Sequence, residues 1–365
     1  MSRAWLYAIV IALTFQLVFL LFPPAAQAHI GAGIVVDREG RVYFLDTSRA
    51  RIWMVDAAGR LKILAEHKHS DTLVLDVDGN LYCEDVVSGG VWKISPQGAA
   101  TEVLSKAKRS AIVGWTYLLT VGADGSFYFV SGYPDQVKLH KMSPSGEGTI
   151  FAGSTRGMAD GPAREAQFRE VRAAAWGADG ALYLIDGDSI RKLSSNGIVT
   201  TLAGGPDEGF ADGMGATARF QHPSGLALDA QGNIFVADHG NRRIRKISPT
   251  GEVSTVGDAG QAWTPAGVAV AGGNLYVLER FGVYNGPATF FSWIGDFAGN
   301  PRVRRIASDG SAVKLAAVRG LTPFGWFILG LKLAVLLALA ALTWTAMWIL
   351  RRRRTRRLAL RHAAA

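Results

Sequence analysis

The chain has 365 residues, and its formal charge of +9 comes from 39 basic and 30 acidic residues. Eight of the basic residues follow position 320, whereas all the acidic residues lie between positions 29 and 320, where the two signs balance. The high isoelectric point therefore does not indicate a nucleic-acid partner, and a hydrophobic content of 49% excludes a disordered chain. The single cysteine, Cys83, excludes an intramolecular disulfide and a cysteine-based zinc cluster.

Residues 1–28 have the pattern of a signal peptide. A single arginine precedes a long apolar stretch, two prolines follow it, and Ala26-Gln27-Ala28 fits the small-x-small cleavage pattern. The mature chain is then expected to begin at His29. Because the apolar stretch is long for a signal peptide, an uncleaved anchor is the alternative, and either one exports the segment that follows.

Residues 29–319 contain six copies of one strand–turn–strand unit. LVLDVDGNLYCED (73–85) and LALDAQGNIFVAD (226–238) are examples, and a second phrase such as IRKISPTG (244–251) follows each copy. The turn glycines fall at positions 40, 79, 125, 180, 232 and 273. Four short strands in each repeat of roughly 40–50 residues are typical of a propeller blade. The sequence therefore predicts an all-β fold, a six-bladed β-propeller.

The repeats resemble those of the NHL family of six-bladed propellers, with a more distant relation to gluconolactonase-like propellers. The best match is HPSGLALDAQGNIFVADHGNRRIRKIS (222–248), and inserts of the pattern G-x-x-D-G occur at 157–168 and 209–220. Blade three departs most, with Ser131-Gly132 where the other blades have an acid. The resemblance implies a binding platform or, in some relatives, an enzyme, so it indicates fold better than function.

An acidic residue ends the second strand of five blades, and the propeller fold brings these positions to one face. The residues are Asp46, Asp85, Asp186, Asp238 and Glu279. Because the acid belongs to the repeat pattern and is not special to one blade, the pattern favours acids that each cap their own turn; a cation or basic-ligand site formed by the clustered carboxylates is the alternative. A Ca²⁺ or Zn²⁺ site is considered on Asp46, Asp85, Asp238 and His222, because the resemblance extends to propellers that are zinc lyases or calcium-dependent lactonases. The catalytic residues stay unassigned.

A further insert (281–301) interrupts blade six and is rich in aromatic residues. Long loops in compact folds are usually functional. The ligand-binding candidates are Tyr284, Phe290, Phe291 and Trp293, together with Asp186, Asp238 and His239 from the acidic face. A flap packed over the propeller is the alternative. The arginines of the third strands, such as 242–245, are expected to lie on a solvated face, with an acidic glycan as an alternative ligand.

After a linker at 320–323, residues 324–350 predict a transmembrane helix. Residues 333–350 carry no charge and would extend about 27 Å as a helix, close to the hydrocarbon thickness. The arginine-rich tail 351–365 is expected to lie in the cytoplasm and to contact anionic lipid.

These features predict a single-pass membrane protein with an extracytoplasmic propeller, periplasmic or at the cell surface. We expect a binding or scaffolding module for an envelope protein, a peptide or a glycan, with no nucleic-acid partner. The alternative is a metal-dependent hydrolase or lyase with its site at the mouth of the propeller channel.

Overall fold

The computed structural model describes residues 33–66, 69–85, 87–109, 115–133, 135–281 and 300–318. These residues form six antiparallel sheets, each built from strands that are consecutive in the chain. The predicted six-bladed propeller with four-stranded blades is confirmed. In the described part of the chain no helix is long and apolar enough to cross a membrane, and the predicted signal (1–28) and span (324–350) lie outside it.

The first three blades have four strands each. Blade one contains β1 (Ile34–Val36), β2 (Val42–Asp46), β3 (Arg51–Val55) and β4 (Leu61–Glu66). Blade two contains β5 (Val74–Leu75), β6 (Leu81–Asp85), β7 (Gly90–Ile94) and β8 (Ala100–Leu104). Blade three contains β9 (Trp115–Val121), β10 (Phe127–Tyr133), β11 (Gln136–Met142) and β12 (Gly148–Ala152).

Blades four and five each gain a two-residue outer strand from the predicted G-x-x-D-G inserts. Blade four contains β13 (Gly161–Pro162), β14 (Val171–Trp176), β15 (Leu182–Asp186), β16 (Ser189–Leu193) and β17 (Ile198–Gly204). Blade five contains β18 (Gly213–Met214), β19 (Pro223–Leu228), β20 (Ile234–Asp238), β21 (Arg243–Ile247) and β22 (Glu252–Asp258). Blade six contains β23 (Trp263–Ala271), β24 (Asn274–Phe281), β25 (Pro301–Ile306) and β26 (Ala312–Ala317).

The turn between the first two strands of a blade forms as its sequence predicts. In blade one, Asp37 accepts hydrogen bonds from the backbone amides of Glu39 and Arg41 through one oxygen and from the Tyr43 hydroxyl through the other. Gly40 has a φ of +76°, a conformation that favours glycine. Local chemistry of this kind sets the blade boundaries without help from distant residues.

Apolar side chains between neighbouring blades form the core. One cluster joins blade one to blade six and includes Ile34, Phe44, Leu278 and Val318. No strand of the described residues is shared between these two blades, so side-chain packing closes the ring. The burial of apolar surface at each interface is the main stabilising contribution.

Candidate functional site

The acids that end the second strands lie at one end of the propeller, which we call the acid face. Every one of them is buried, with at most 7% of the residue exposed. The residues are Asp46, Asp85, Asp186, Asp238 and Glu279. A buried carboxylate requires hydrogen-bond partners, and those partners show what each acid does.

In blade four, Asp186 binds both backbone and side-chain donors. It accepts the backbone amides of Arg169 and Glu170 at 2.7 and 2.8 Å and the Arg191 guanidinium at 2.6 Å. The two amides belong to the linker entering the blade, so the acid fixes that linker rather than only its own turn. Burial raises the pKa of Asp186, although the hydrogen bonds from these partners act to lower it.

Asp238 repeats this arrangement in blade five. Its carboxylate accepts the backbone amide of Gln221 at 2.8 Å, the Asn241 side chain at 2.9 Å and Arg245 at 2.7 Å. Burial again raises the pKa of Asp238 against the effect of these hydrogen bonds. In both blades, a backbone amide of the entering linker and an arginine thus compensate the loss of hydration of the buried carboxylate.

The arginine partners of these two acids are fully buried, so the expectation of a solvated third-strand face is wrong for these two residues. Arg191 and Arg245 have no exposed side-chain surface. Each also binds the aspartate of a G-x-x-D-G insert, Asp160 at 2.8 Å and Asp212 at 2.6 Å respectively. An alternating pattern shows on which face of a strand a residue lies, but it does not show that an insert covers that face.

The remaining acids are satisfied by other partners. Asp46 pairs with Arg49 at 2.8 Å, and Asp85 accepts the backbone amide of Ser88 at 3.1 Å. Glu279 pairs with two arginines, Arg302 and Arg304, each at 2.5 Å. These contacts are inside one blade or close to its turn, and they favour structural roles for the three acids.

The predicted histidines occupy different environments. His222 is half-exposed, has a left-handed backbone with φ of +46°, and lies 3.4 Å from the Glu208 carboxylate. His239 is buried, and its Nδ1 lies 3.0 Å from the carbonyl oxygen of Pro265. Burial lowers the pKa of His239 to about 4, against the effect of that carbonyl, so the imidazole is neutral at physiological pH.

No group of three His, Cys, Asp or Glu side chains within the described ranges is arranged to hold a metal ion. The candidates Asp46, Asp85, Asp238 and His222 are therefore not brought together as one ligand set. The Ca²⁺ or Zn²⁺ site stays a prediction, which elemental analysis of the purified protein would test.

A central channel is lined by the inner strands of all six blades. Its volume is about 370 Å³, and its walls are mainly aliphatic. Polar side chains on the lining are those of Thr72, Thr120 and Arg172. Arg172 donates a hydrogen bond to Glu170 at 2.9 Å, so the charged group at the channel wall is paired.

The inner hairpin of blade six extends further than its equivalents in blades four and five. In blade five the hairpin ends with Pro223 opposite Asp238, whereas β23 and β24 continue for two more pairs beyond Pro265 and Glu279. The last pair is Trp263 opposite Phe281. The repeat pattern did not indicate Trp263 as a site residue, because Trp263 precedes the Pro-x-Gly phrase (265–267) with which the blade's pattern begins.

The extension presents an aromatic pair on the acid face. The rings of Trp263 and Phe281 are 5.4 Å apart in an edge-to-face arrangement, a favourable geometry for such pairs. The guanidinium of Arg302 lies 3.9 Å from the centre of the Trp263 ring. Half of Phe281 is exposed. This pair stands where the aromatic insert begins, although Tyr284, Phe290, Phe291 and Trp293 lie outside the described residues.

The sequence profile of the NHL repeat matches residues 220–247. The chain carries an NHL repeat. The matched residues are β19 to β21 of blade five, together with the segment that supplies the backbone amide bound by Asp238. The predicted resemblance of this segment to the NHL repeat is confirmed, and the six-bladed architecture agrees with that resemblance.

Among proteins of similar sequence, Teneurin-3 of Danio rerio is 25% identical over 237 residues, which cover 59% of this chain and 8% of that protein. Protein SUPPRESSOR OF QUENCHING 1, chloroplastic, of Arabidopsis thaliana is 43% identical over 72 residues, which cover 19% of this chain and 7% of that protein. The chain thus spans less than a tenth of either relative.

A solved structure described as an auxiliary nutrient binding protein from Bacteroides thetaiotaomicron is also similar. It is 14% identical, with a TM-score of 0.51, and the alignment covers 68% of this chain and 66% of that one. At this identity the likeness concerns the fold alone. These similarities therefore support the NHL repeat and the propeller fold, whereas function follows from the site and not from the fold.

Proposed function

We propose that this protein is a membrane-anchored, extracytoplasmic NHL-type propeller that binds a protein, peptide or glycan on its acid face. The observation that carries the proposal is the extended hairpin of blade six, which holds Trp263 and Phe281 beyond the level reached in blades four and five. Aromatic residues with adjoining arginine are the usual anchors of binding surfaces.

The acid face suits this role because its scaffold is rigid. The carboxylates of Asp186 and Asp238 fix the linkers entering blades four and five through backbone amides. A surface held in place before the ligand arrives loses less conformational entropy on binding. The same hydrogen bonds occupy the acids, which favours a binding platform over a reactive centre for these two residues.

The membrane topology is part of the proposal and rests on residues 1–28 and 324–365. A protease is added to cells whose outer layer has been permeabilised and whose cell membrane is closed. The protease is expected to degrade the propeller and to leave the C-terminal tail protected. Degradation of the tail with protection of the propeller would reverse the topology and contradict this part of the proposal.

Binding is tested by replacing the two aromatic residues together. The full-length chain carrying Trp263→Ser and Phe281→Ser is expected to lose crosslinking to the partner that the unchanged chain captures from envelope extracts. Val77→Ser is the control, because Val77 is 65% exposed and lies in the turn between β5 and β6, at the end of the blade opposite the acids. Equal loss in both variants, or retained capture in the double variant, would contradict the proposed surface.

A further inference from the structure

The inserts of blades four and five dock on the outer strand of their own blade in the same way. In blade four, Gly161 of the insert pairs with Val199 of β17. In blade five, Gly213 pairs with Val253 of β22. The aspartate before each glycine accepts a backbone amide of the outer strand, at 2.9 and 3.0 Å respectively. Two outer strands of this chain therefore bind an extended Asp-Gly segment.

An arginine of the third strand completes each of these sites. One oxygen of Asp160 accepts the Arg191 guanidinium at 2.8 Å and the Thr201 hydroxyl at 3.0 Å. The corresponding contacts in blade five have the same residue types and similar lengths. An Asp-Gly segment is thus held by a strand edge, by a backbone amide for its carboxylate and by a guanidinium.

Blade six has the same strand pair and the same arginine without an insert. Arg304 of β25 lies opposite Lys314 of β26, as Arg191 lies opposite Thr201 in blade four, and a register shift directly precedes the arginine in both blades. The linker that enters blade six contains only residues 259–262. Such a linker is too short to run along β26 as well as to reach β23.

The outer edge of blade six is exposed where the other two edges are covered. In the described part of the chain, β26 is the last strand of its sheet, and Val313 is 52% exposed. The Arg304 side chain is 17% exposed, whereas Arg191 and Arg245 beneath their inserts have no exposed side-chain surface. Blade six thus has the parts that hold an Asp-Gly segment, but no such segment among the described residues.

Blades one to three, which also lack an insert, do not have this arginine. The strand registers place Trp53, Trp92 and His140 where Arg191 lies in blade four. None of these side chains offers the permanent charge and paired donors of a guanidinium. Within the described ranges, the arginine and the exposed edge therefore occur together in blade six alone.

The ion pair of Arg304 with Glu279 is compatible with a second carboxylate. Arg191 shows this, because it binds Asp186 and the insert aspartate Asp160 at the same time. The lysine at position 314 replaces the threonine of blade four, so an exposed ammonium group joins the guanidinium on this side of the strand pair. The charge of the edge is therefore complementary to an acidic segment.

We infer that the outer edge of blade six binds an extended Asp-Gly segment of a partner protein, which pairs with β26 as an added strand. Addition of a strand to an exposed sheet edge is a general mode of peptide recognition, with affinity from backbone hydrogen bonds and specificity from side chains. The two inserts of this chain are bound to their own blades, so the segment belongs to another protein. The inference goes beyond the proposed function, because it uses the edge of β26 and not the Trp263–Phe281 pair.

The test measures binding of a fluorescent peptide to the full-length protein in neutral detergent by anisotropy. The peptide has the sequence of the blade-four insert, GMADGPAREAQF (157–168), and the comparison peptide carries Asp160→Asn. We expect saturable binding of the first peptide and about tenfold weaker binding of the second, as for one lost charge-assisted hydrogen bond. Equal binding of the two peptides, or no saturable binding of the first at about 1 mM, would overturn the inference.

Two variants of the protein separate strand pairing from charge attraction. Lys314→Gln removes the charge and keeps the edge amide, so about tenfold weaker binding is expected. Lys314→Pro also removes the amide, a change that edge strands tolerate, and it is expected to abolish binding. Equal loss in the two variants would show charge attraction without an added strand and would overturn the inference.

The controls locate the site. Lys62→Gln removes an exposed lysine from β4, the outer strand of blade one, and is expected to leave binding unchanged. The variant with Trp263→Ser and Phe281→Ser is also expected to bind the peptide normally. Loss of binding in either control would place the peptide elsewhere and overturn the inference, whereas failure at β26 leaves the proposed function intact.

Discussion

The Ser131 hydroxyl and Nε2 of His140 lie 2.7 Å apart in blade three, where blades four and five have a carboxylate and an arginine. Strand register shows the equivalence. Ser131 follows the start of β10 by four residues and His140 precedes the end of β11 by two, as Asp186 and Arg191 do in β15 and β16. One blade therefore replaces a buried ion pair with a neutral hydrogen bond.

This replacement predicts unequal costs for the two blades. Asp186→Asn is expected to lower the free energy of unfolding by about 3–5 kcal/mol, because it leaves a buried guanidinium without its nearest carboxylate. Ser131→Ala is expected to cost about 1 kcal/mol, the value of one neutral hydrogen bond. Urea unfolding measures both, with Asp207→Asn as an exposed control. Equal losses would show that the ion pair carries no special weight.

The two G-x-x-D-G inserts are expected to contribute equally to stability. Asp160 binds Arg191 and the backbone amide of Thr201, and Asp212 makes the same contacts with Arg245 and Thr255. Replacing either aspartate with alanine is expected to lower the unfolding free energy by about 1–2 kcal/mol. A thermal unfolding comparison of the two variants checks this, and a cost in only one blade would contradict the equivalence.

His239 is expected to make stability fall in mild acid. Burial lowers its folded pKa to about 4 from 6.5, so its contribution is fully present above pH 6.5 and is lost as the pH falls from 6.5 towards 4. The unfolded chain takes up the proton first, and the full loss is about 3 kcal/mol.

The check is urea unfolding at a series of pH values between 4 and 7.5. His239→Gln removes the titrating group, so the variant is expected to lose less stability across that interval than the unchanged protein. Lys246→Gln, a change on the third strand of the same blade, is the control. Identical slopes for the unchanged protein and His239→Gln would contradict the predicted coupling.

Ring closure depends on contacts between blades one and six. Arg49 donates a hydrogen bond of 2.7 Å to Asn300, which is 251 residues away, while pairing with Asp46. Arg49→Ala is expected to speed amide hydrogen exchange in β1 and β26, with little change in blade four. A uniform increase in all blades would show global destabilisation instead of a local opening of the seam.

The sequence alone determined the blades. Asp37 and Gly40 contain the information for their turn within four residues, and alternation within each strand separates core from surface, so both are local properties. The identity of Asp186 and Asp238 as members of the repeat was equally visible. The binding partners of these acids could not be predicted from the sequence, because turn capping implies donors in the same turn.

Only the tertiary structure decided the surroundings of those residues. Arg191 and Arg245 become buried because an insert some thirty residues earlier in the chain folds over the third strand. The hydrogen bond of Arg49 to Asn300, and those of Arg302 and Arg304 to the backbone of residues 258–259, likewise depend on how the blades pack. Packing brings together residues that are far apart in the chain, so no local sequence pattern indicates their contacts. The hydrogen bonds and ion pairs of the acid face depend on this packing.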